Sequence, residues 1–133
     1  MSGITDLETL LASMNPVLIP GEFVFVSRLN ANYGEGSELN PIAAFEENEG
    51  LTLIVPRSRA DEVSESYQGV FRMITLQVHS SLEAVGLTAA VADALAKQSI
   101  SANVVAAFYH DHIFVPLARA EDAMVVLKDL RAT

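Results

Sequence analysis

Hydrophobic positions along the 133-residue chain follow two different periods. Alternation is clearest over residues 70–78, where Ile74, Leu76 and Val78 share one face, as in a half-buried strand. Over residues 87–95 the apolar positions instead recur at spacings of three and four, as in an amphipathic helix. By the same criteria the sequence predicts helices over 6–14, 58–66 and 120–127 and strands over 17–19, 23–27, 42–46, 51–55, 102–109 and 113–115.

Polar, turn-rich segments separate these elements. Residues 30–40, NANYGEGSELN, predict an exposed loop, and residues 47–50 predict a hairpin turn. A further loop is expected over residues 79–86, between the long strand and its helix. A tight turn is expected at His110 and Asp111, between the last two strands.

The order of predicted elements indicates the fold. From residue 70 onward it is strand, helix, strand, strand, helix, which is the βαββαβ plan without its final strand. The first half has residues 30–40 where the crossover helix would be, so it is an abbreviated copy. We therefore predict an α+β, ferredoxin-like fold with two tandem units, at residues 1–66 and 67–133. The missing strands would come from pairing between the halves or from residues 17–19.

Short echoes in the sequence support a duplication. The run AAF occurs at residues 43–45 and again at 106–108, and VP occurs at 55–56 and again at 115–116. An internal repeat of this kind indicates a duplicated supersecondary unit. Ligands often bind where two equivalent surfaces meet, so the repeat also bears on function.

Composition excludes several classes of function. Eight basic residues against 17 acidic ones give a formal net charge of −9, and the basic residues are scattered. We therefore expect neither nucleic acid nor an anionic membrane as a partner. The chain has no cysteine, which excludes disulfides and a thiol nucleophile and fits a cytoplasmic location. No apolar run approaches about 18 residues, and the N-terminus lacks signal-peptide features, so no membrane span is predicted.

Histidine and serine residues raise the alternatives of metal binding and catalysis. His79 is expected to end the first strand of the second half, whereas His110 and His112 begin the third. With those strands taken as parallel, the histidines would lie ~15 Å apart, so we predict no metal site within one subunit and no cofactor. A metal-binding histidine cluster formed between two subunits is the alternative that stays open. Ser80 and Ser81 lack a nucleophile elbow, so no catalytic residue is predicted.

Residues 79–116, HSSLEAVGLTAAVADALAKQSISANVVAAFYHDHIFVP, resemble small bacterial proteins built from tandem ACT domains. The same fold serves as the regulatory module of amino-acid biosynthetic enzymes and builds the eukaryotic cytosolic arginine sensors. The resemblance extends over nearly the whole chain, since residues 51–55 and the N-terminal helix also fit it. It implies tandem ACT-like units that bind an amino acid between the first strand and first helix, against a neighbouring unit.

The resemblance places the binding site in the second half of the chain. The first half lacks the Gly-Leu-Thr helix start, so we expect no site there. The arginine sensors also use an acidic residue near the second hairpin, and Asp111 is the matching position. The loop residues expected to bind the ligand are Ser80, Ser81, Leu82, Glu83, Val85, Gly86, Leu87 and Thr88.

The chemistry of this loop suits a zwitterion. A helix N-terminus offers unpaired N–H groups to a carboxylate, and Gly86 allows close backbone approach. Glu83 or Asp111 would accept hydrogen bonds from an ammonium group. The alternative is a plain strand-to-helix turn with Thr88 as the N-cap.

The sequence therefore predicts a non-enzymatic regulatory or sensory module that binds a small ligand, an amino acid, at residues 79–88 and a domain or dimer interface. The alternative is a protein–protein interaction module without a small-molecule ligand. A homodimer is expected because small βαββαβ units often extend sheets or pack faces across a two-fold axis. Met73 on the second face of the long strand supports that expectation.

Overall fold

A computed structural model describes residues 6–78 and 86–132 of the chain. Within them the helices are α1 (Leu7–Ser13), α2 (Arg57–Glu62), α3 (Leu87–Lys97) and α4 (Ala120–Ala132). The strands are β1 (Pro16–Leu18), β2 (Phe23–Arg28), β3 (Tyr33–Gly36), β4 (Ala43–Glu47), β5 (Gly50–Pro56), β6 (Phe71–Leu76), β7 (Asn103–Ala106) and β8 (Asp111–Pro116). Short 3₁₀ turns occupy Ser37–Leu39 and Leu117–Arg119. None of these helices has the length and apolar character that a membrane span needs.

The described residues form two compact units. The larger unit comprises residues 6–20 together with 72–132, and the smaller unit comprises residues 21–71. The α+β, ferredoxin-like architecture with an abbreviated first copy, predicted from the pattern of elements, is confirmed.

In the larger unit, β6 is paired on one edge with β8, which in turn pairs with β7. Its other edge takes β1 in an antiparallel register that sets Val17 opposite Thr75. Leu10 and Met14, on and after α1, are fully buried in the same apolar cluster as the core faces of α3 and α4. The N-terminal segment thus supplies the strand that the second half lacks, as one of the two sequence-based alternatives proposed.

The division of the chain into compact units differs in two respects from the predicted division at residue 67, and the first is that residues 67–71 belong to the smaller unit. Residues 6–20 pack with the residues after 71, because β1 pairs with β6 and α1 covers the same core. The position of the boundary between the two sequence repeats near residue 67 stays a prediction.

The smaller unit is an antiparallel sheet in the order β4-β5-β2, with α2 after β5. Its core contains Leu51, Leu53 and Val55 from the central strand. The prediction of an exposed loop over residues 30–40 is wrong in part. β3 and the Ser37–Leu39 turn lie there, and Leu39 is fully buried because it packs into this core.

The two hairpins have turns of equal length. One turn lies at residues 48–49, because Glu47 pairs with Gly50. The other lies at residues 108–109, where the Ala107 N–H donates to the His110 carbonyl at 3.1 Å. The predicted turn at residues 110–111 is therefore wrong by two residues.

The positions of the turns also show which of the two sequence repeats, VP or AAF, marks equivalent positions in the two copies. Counted back from the two Val-Pro pairs, the turns occupy equivalent places in the two copies. The AAF echo does not, since Phe45 lies within β4 whereas Phe108 lies in the turn of the other hairpin.

We predict that Gly36→Ala destabilises the chain more than Gly34→Ala. Both glycines have positive φ, +83° and +99°, so either alanine costs roughly 1–2 kcal/mol of backbone strain. Only at Gly36 would the added Cβ meet another group, the Leu53 Cδ1 at 2.6 Å, and overpacking adds about 1 kcal/mol or more. Urea unfolding of the two variants measures the difference. Equal losses would show that Leu53 moves aside without cost.

Candidate functional site

Helix α3 begins at a glycine cap. Gly86 is the N-cap residue, in the left-handed region at φ 101°, and no side chain of residues 6–78 or 86–132 accepts from the first turn. The alternative that Thr88 is the N-cap is therefore wrong, and Thr88 is exposed within the helix. The first helical bond runs from the Ala90 N–H to the Gly86 carbonyl at 2.8 Å. The N–H groups of residues 87–89 thus have no acceptor within the helix.

Packing explains why the residue before α3 is glycine. A Cβ at Gly86 would lie 3.2 Å from Leu7 Cδ2, so the close approach at this point is made by helix α1. Leu87 is 3% exposed, and its side chain belongs to the core of the larger unit. Because its side chain is buried, Leu87 can contact a ligand only through its backbone.

Strands β6 and β8 run antiparallel, which corrects the sequence-based expectation of parallel strands. Thr75 Oγ1 lies 2.9 Å from His112 Nδ1, whereas the Val78 carbonyl oxygen lies 3.5 Å from His110 Nδ1. Residue numbers therefore rise along one strand as they fall along the other. The start of β8 meets the end of β6, so the parallel arrangement from which the ~15 Å separation was reasoned is wrong, and the position of His79 itself lies outside the described residues.

The antiparallel pairing changes the reasoning about a metal site. His110 is placed beside Val78, the residue that precedes His79 in sequence. Among residues 6–78 and 86–132 no group of three or more acidic or histidine side chains could hold a metal ion. His79 lies outside the described residues, so the predicted absence of a metal site stays a prediction.

Asp111 is a half-buried carboxylate at the start of β8, between His110 and His112. Among the described residues it has no ion-pair or hydrogen-bond partner. Burial raises the pKa of the Asp111 carboxyl, and the two neighbouring histidines offset part of that rise. Burial also lowers the pKa of His112, with a further contribution from His110, so the neutral imidazole is favoured.

The structure describes four of the nine predicted ligand-binding residues: Gly86, Leu87, Thr88 and Asp111. It places Asp111 on a hairpin beside the end of β6, from which residues 79–85 continue. The other five lie outside the described residues, and their part in a site stays a prediction: Ser80, Ser81, Leu82, Glu83 and Val85.

Sequence reasoning missed two features near Asp111. Thr75, 6% exposed, is the hydrogen-bond partner of His112, and only the antiparallel register of β6 and β8 identifies that pair. Phe108 and Tyr109 form the tip of the hairpin, 65% and 64% exposed, with ring centroids 5.0 Å apart in an edge-to-face arrangement. The sequence did carry a signal for this aromatic hairpin tip, because two adjacent aromatic residues directly precede His-Asp-His.

Comparisons with known proteins extend over the whole chain. A sequence family described as ACT domain matches residues 2–72, and a second one of the same description matches residues 69–129. No functionally curated protein matches the chain at a significant level.

Solved structures agree with this assignment. A Vibrio cholerae protein of unknown function, described as a possible transport protein, is 47% identical with a TM-score of 0.86, covering 98% of this chain and 99% of its own. An Agrobacterium tumefaciens protein is 14% identical with a TM-score of 0.74, and 89% of each chain is covered. The regulatory subunit of aspartate kinase from Thermus thermophilus is 9% identical with a TM-score of 0.60, covering 89% of this chain and 98% of its own. At the two lower identities the likeness shows the fold alone.

We predict that His112 makes the chain less stable as the pH falls below about 6.5. The folded-state pKa of His112 lies below its ordinary value of 6.5, so the unfolded chain takes up that proton first. Stability is thus complete above about 6.5 and is lost as the pH falls toward the folded-state pKa. His112→Asn, which retains a polar partner for Thr75 but does not titrate, should flatten this dependence in urea unfolding between about pH 7.5 and 5.5.

The titration of Asp111 changes stability in the opposite direction to that of His112, and it does so at lower pH. Its folded-state pKa is raised above 3.8, so its contribution is lost as the pH rises from about 3.8 through that pKa. An unchanged slope in the His112→Asn variant above pH 5.5 would contradict the assignment to His112.

Proposed function

Because the chain belongs to the ACT-domain family, we propose that it is a non-enzymatic regulatory module that binds a small amino acid at residues 79–88 and Asp111. Regulatory ligand binding is the general property of this family and is supported for the chain as a whole. The identity of the ligand as an amino acid, the site and the absence of catalysis form the proposal. A cytoplasmic location is part of it, on the ground that the chain has no cysteine.

The observation that carries the proposal is the unpaired carboxylate of Asp111. A half-buried carboxylate loses part of its hydration, and that loss is repaid only by a donor or a cation. Among the described residues no ion pair or hydrogen bond supplies one. Burial therefore raises the pKa of Asp111, although the charges of His110 and His112 offset part of the rise. The ammonium group of an amino acid would supply a charge-assisted hydrogen bond and lower this pKa again.

The start of helix α3 supports the same proposal from the other end of the ligand. Residues 87–89 have N–H groups without helical acceptors, and no side chain in the described part of the chain caps them. The positive end of the helix dipole favours an anion there, so the ligand carboxylate would bind at this point. Ser80, Ser81 and Glu83 would complete the site, since they precede this turn in the chain.

We predict that at least one of the common amino acids raises the melting temperature of the chain. A ligand at 100 times its dissociation constant stabilises the folded state by about 2.7 kcal/mol, which a thermal-shift screen detects. Asp111→Asn should weaken that ligand by about tenfold or more, because a hydrogen bond to a charged group is lost. Glu121→Gln is the matched control, since it removes one exposed carboxylate from the first turn of α4.

Two outcomes of this screen would contradict the proposal. One is the absence of a shift with any amino acid at millimolar concentration. The other is a ligand whose affinity falls equally in the Asp111→Asn and Glu121→Gln variants, because a general charge effect would then explain the loss.

The second candidate function is a protein-interaction module without a small ligand. The exposed pair of Phe108 and Tyr109 at the hairpin tip favours it, because aromatic residues are enriched at protein interfaces. This function would produce a stable complex with a specific protein that does not respond to amino acids. It becomes the preferred explanation if the screen shows no shift.

We also predict that the chain is a homodimer in solution. Family membership and the small βαββαβ plan support association across a two-fold axis. Multi-angle light scattering over a range of concentrations should give about twice the chain mass of 14.3 kDa. A mass of one chain at high concentration would contradict this prediction.

A further inference from the structure

The two units differ in what covers the edge of their sheets. In the larger unit, helix α3 packs against the core cluster that includes Ile113, and Val104 on β7 packs against the same cluster. Counted from the two Val-Pro pairs, Ala44 and Leu53 of the smaller unit hold the equivalent paired positions. There the crossover is only β3 and the Ser37–Leu39 turn, so no crossover helix covers Ala44, which is exposed, whereas Leu53 is buried in the core with Ala60 of α2.

A cavity lies in the smaller unit at this place. Its volume is about 280 Å³, slightly below the range of pockets that hold drug-sized ligands, so it suits a smaller molecule. Pro41, Ile42, Ala44 and Leu53 make the apolar part of its wall. Tyr33, Glu35 and Ser37 make the polar part. The shortened crossover therefore leaves a space with an apolar base and a polar rim.

One anchored carboxylate, Glu35, lies in this rim, and a second, Glu46, is bonded to the backbone of the rim residue Tyr33. Glu35 Oε1 accepts from the Asn32 N–H at 2.7 Å, and Glu46 Oε1 accepts from the Tyr33 N–H at 2.6 Å. Within the described residues, neither carboxylate is in an ion pair. Glu38, two residues beyond the end of β3, is instead in an ion pair, because Arg28 Nη1 lies 2.7 Å from its carboxylate. The negative charge beside the cavity is therefore held in place but not neutralised.

We propose that this cavity is a binding site for a small organic cation with an apolar body, such as a primary alkylamine. The hydrocarbon part would lie on Ile42 and Ala44, and the ammonium group would pair with Glu35 at the rim, on the side where Glu46 holds the Tyr33 N–H. The ring of Tyr33 is 78% exposed, so its face is available to the same cation. The site belongs to the smaller unit and does not include Asp111, so it is separate from the proposed amino-acid site.

Three probes of equal chain length test this site: n-pentylamine, 1-pentanol and pentanoate. They are added to the full-length ¹⁵N-labelled chain at constant ionic strength, and amide shifts are followed by NMR. We expect pentylamine to shift the amides of residues 33–37 and 42–44, and to bind about fivefold or more tightly than pentanol. Pentanoate should not bind, because the rim is negative. Equal binding of amine and alcohol, or shifts confined to residues 107–112, would overturn the proposal.

Single-charge variants make the test specific. Glu35→Gln should weaken pentylamine by about 1.5-fold to fivefold, the range for one exposed ion pair. Glu49→Gln removes an equally exposed carboxylate from the β4–β5 turn and should leave the affinity unchanged. Equal weakening by both variants would show attraction to the net charge of −9 alone and would overturn the site.

A cavity-filling variant gives an independent measurement. Ala44→Leu places a larger side chain on the apolar wall and should abolish the shifts that pentylamine causes. Unchanged binding in a folded Ala44→Leu variant would overturn the proposal. If this variant does not fold, the comparison of Glu35→Gln with Glu49→Gln decides alone.

Discussion

The antiparallel pairing of β1 with β6 is the interaction on which the larger unit depends. A βαββα segment exposes the free edge of its first strand, and that edge needs a partner. The chain provides one from its own N-terminus, since Pro16–Leu18 aligns with residues 74–76. The same pairing brings α1 over the core and sets Leu7 against Gly86 at the start of α3. The N-terminal segment thus shapes the helix end that we propose for carboxylate binding.

The antiparallel direction of β6 and β8 has a second consequence. It brings the hairpin that carries Asp111 to the end of β6, where residues 79–85 continue the chain. Two hydrogen bonds hold this arrangement: one joins the Thr75 hydroxyl and His112 Nδ1, and in the other His110 Nδ1 donates to the Val78 carbonyl oxygen. Asp111 lies between the two histidines and has no partner of its own among the described residues. A ligand cation would therefore complete an electrostatic arrangement that the described chain leaves incomplete.

The two copies of the repeat have separate potential for binding because their crossovers differ. A full helix, α3, covers the sheet of the larger unit, and the N–H groups at its start have no acceptor within the helix. The smaller unit has a strand and one 3₁₀ turn there, which leaves a cavity of about 280 Å³. On our two proposals an anion would bind at the first feature and a cation at the rim of the second. The two crossovers would then suit different kinds of ligand within the same fold plan.

The sequence by itself determined the element types, the abbreviated duplication and the family, because apolar periods of 2 and 3.6 residues and the Gly-Leu-Thr start are local signals. It also identified β1, although its choice of partner remained open. Tertiary structure decided what depends on strand register, namely the Thr75–His112 pair and the turn at residues 108–109. It also showed that the two AAF runs do not occupy equivalent positions in the two copies. Register and strand direction are set by long-range pairing, and a shift of one residue exchanges the faces of a strand. No local pattern carries that information.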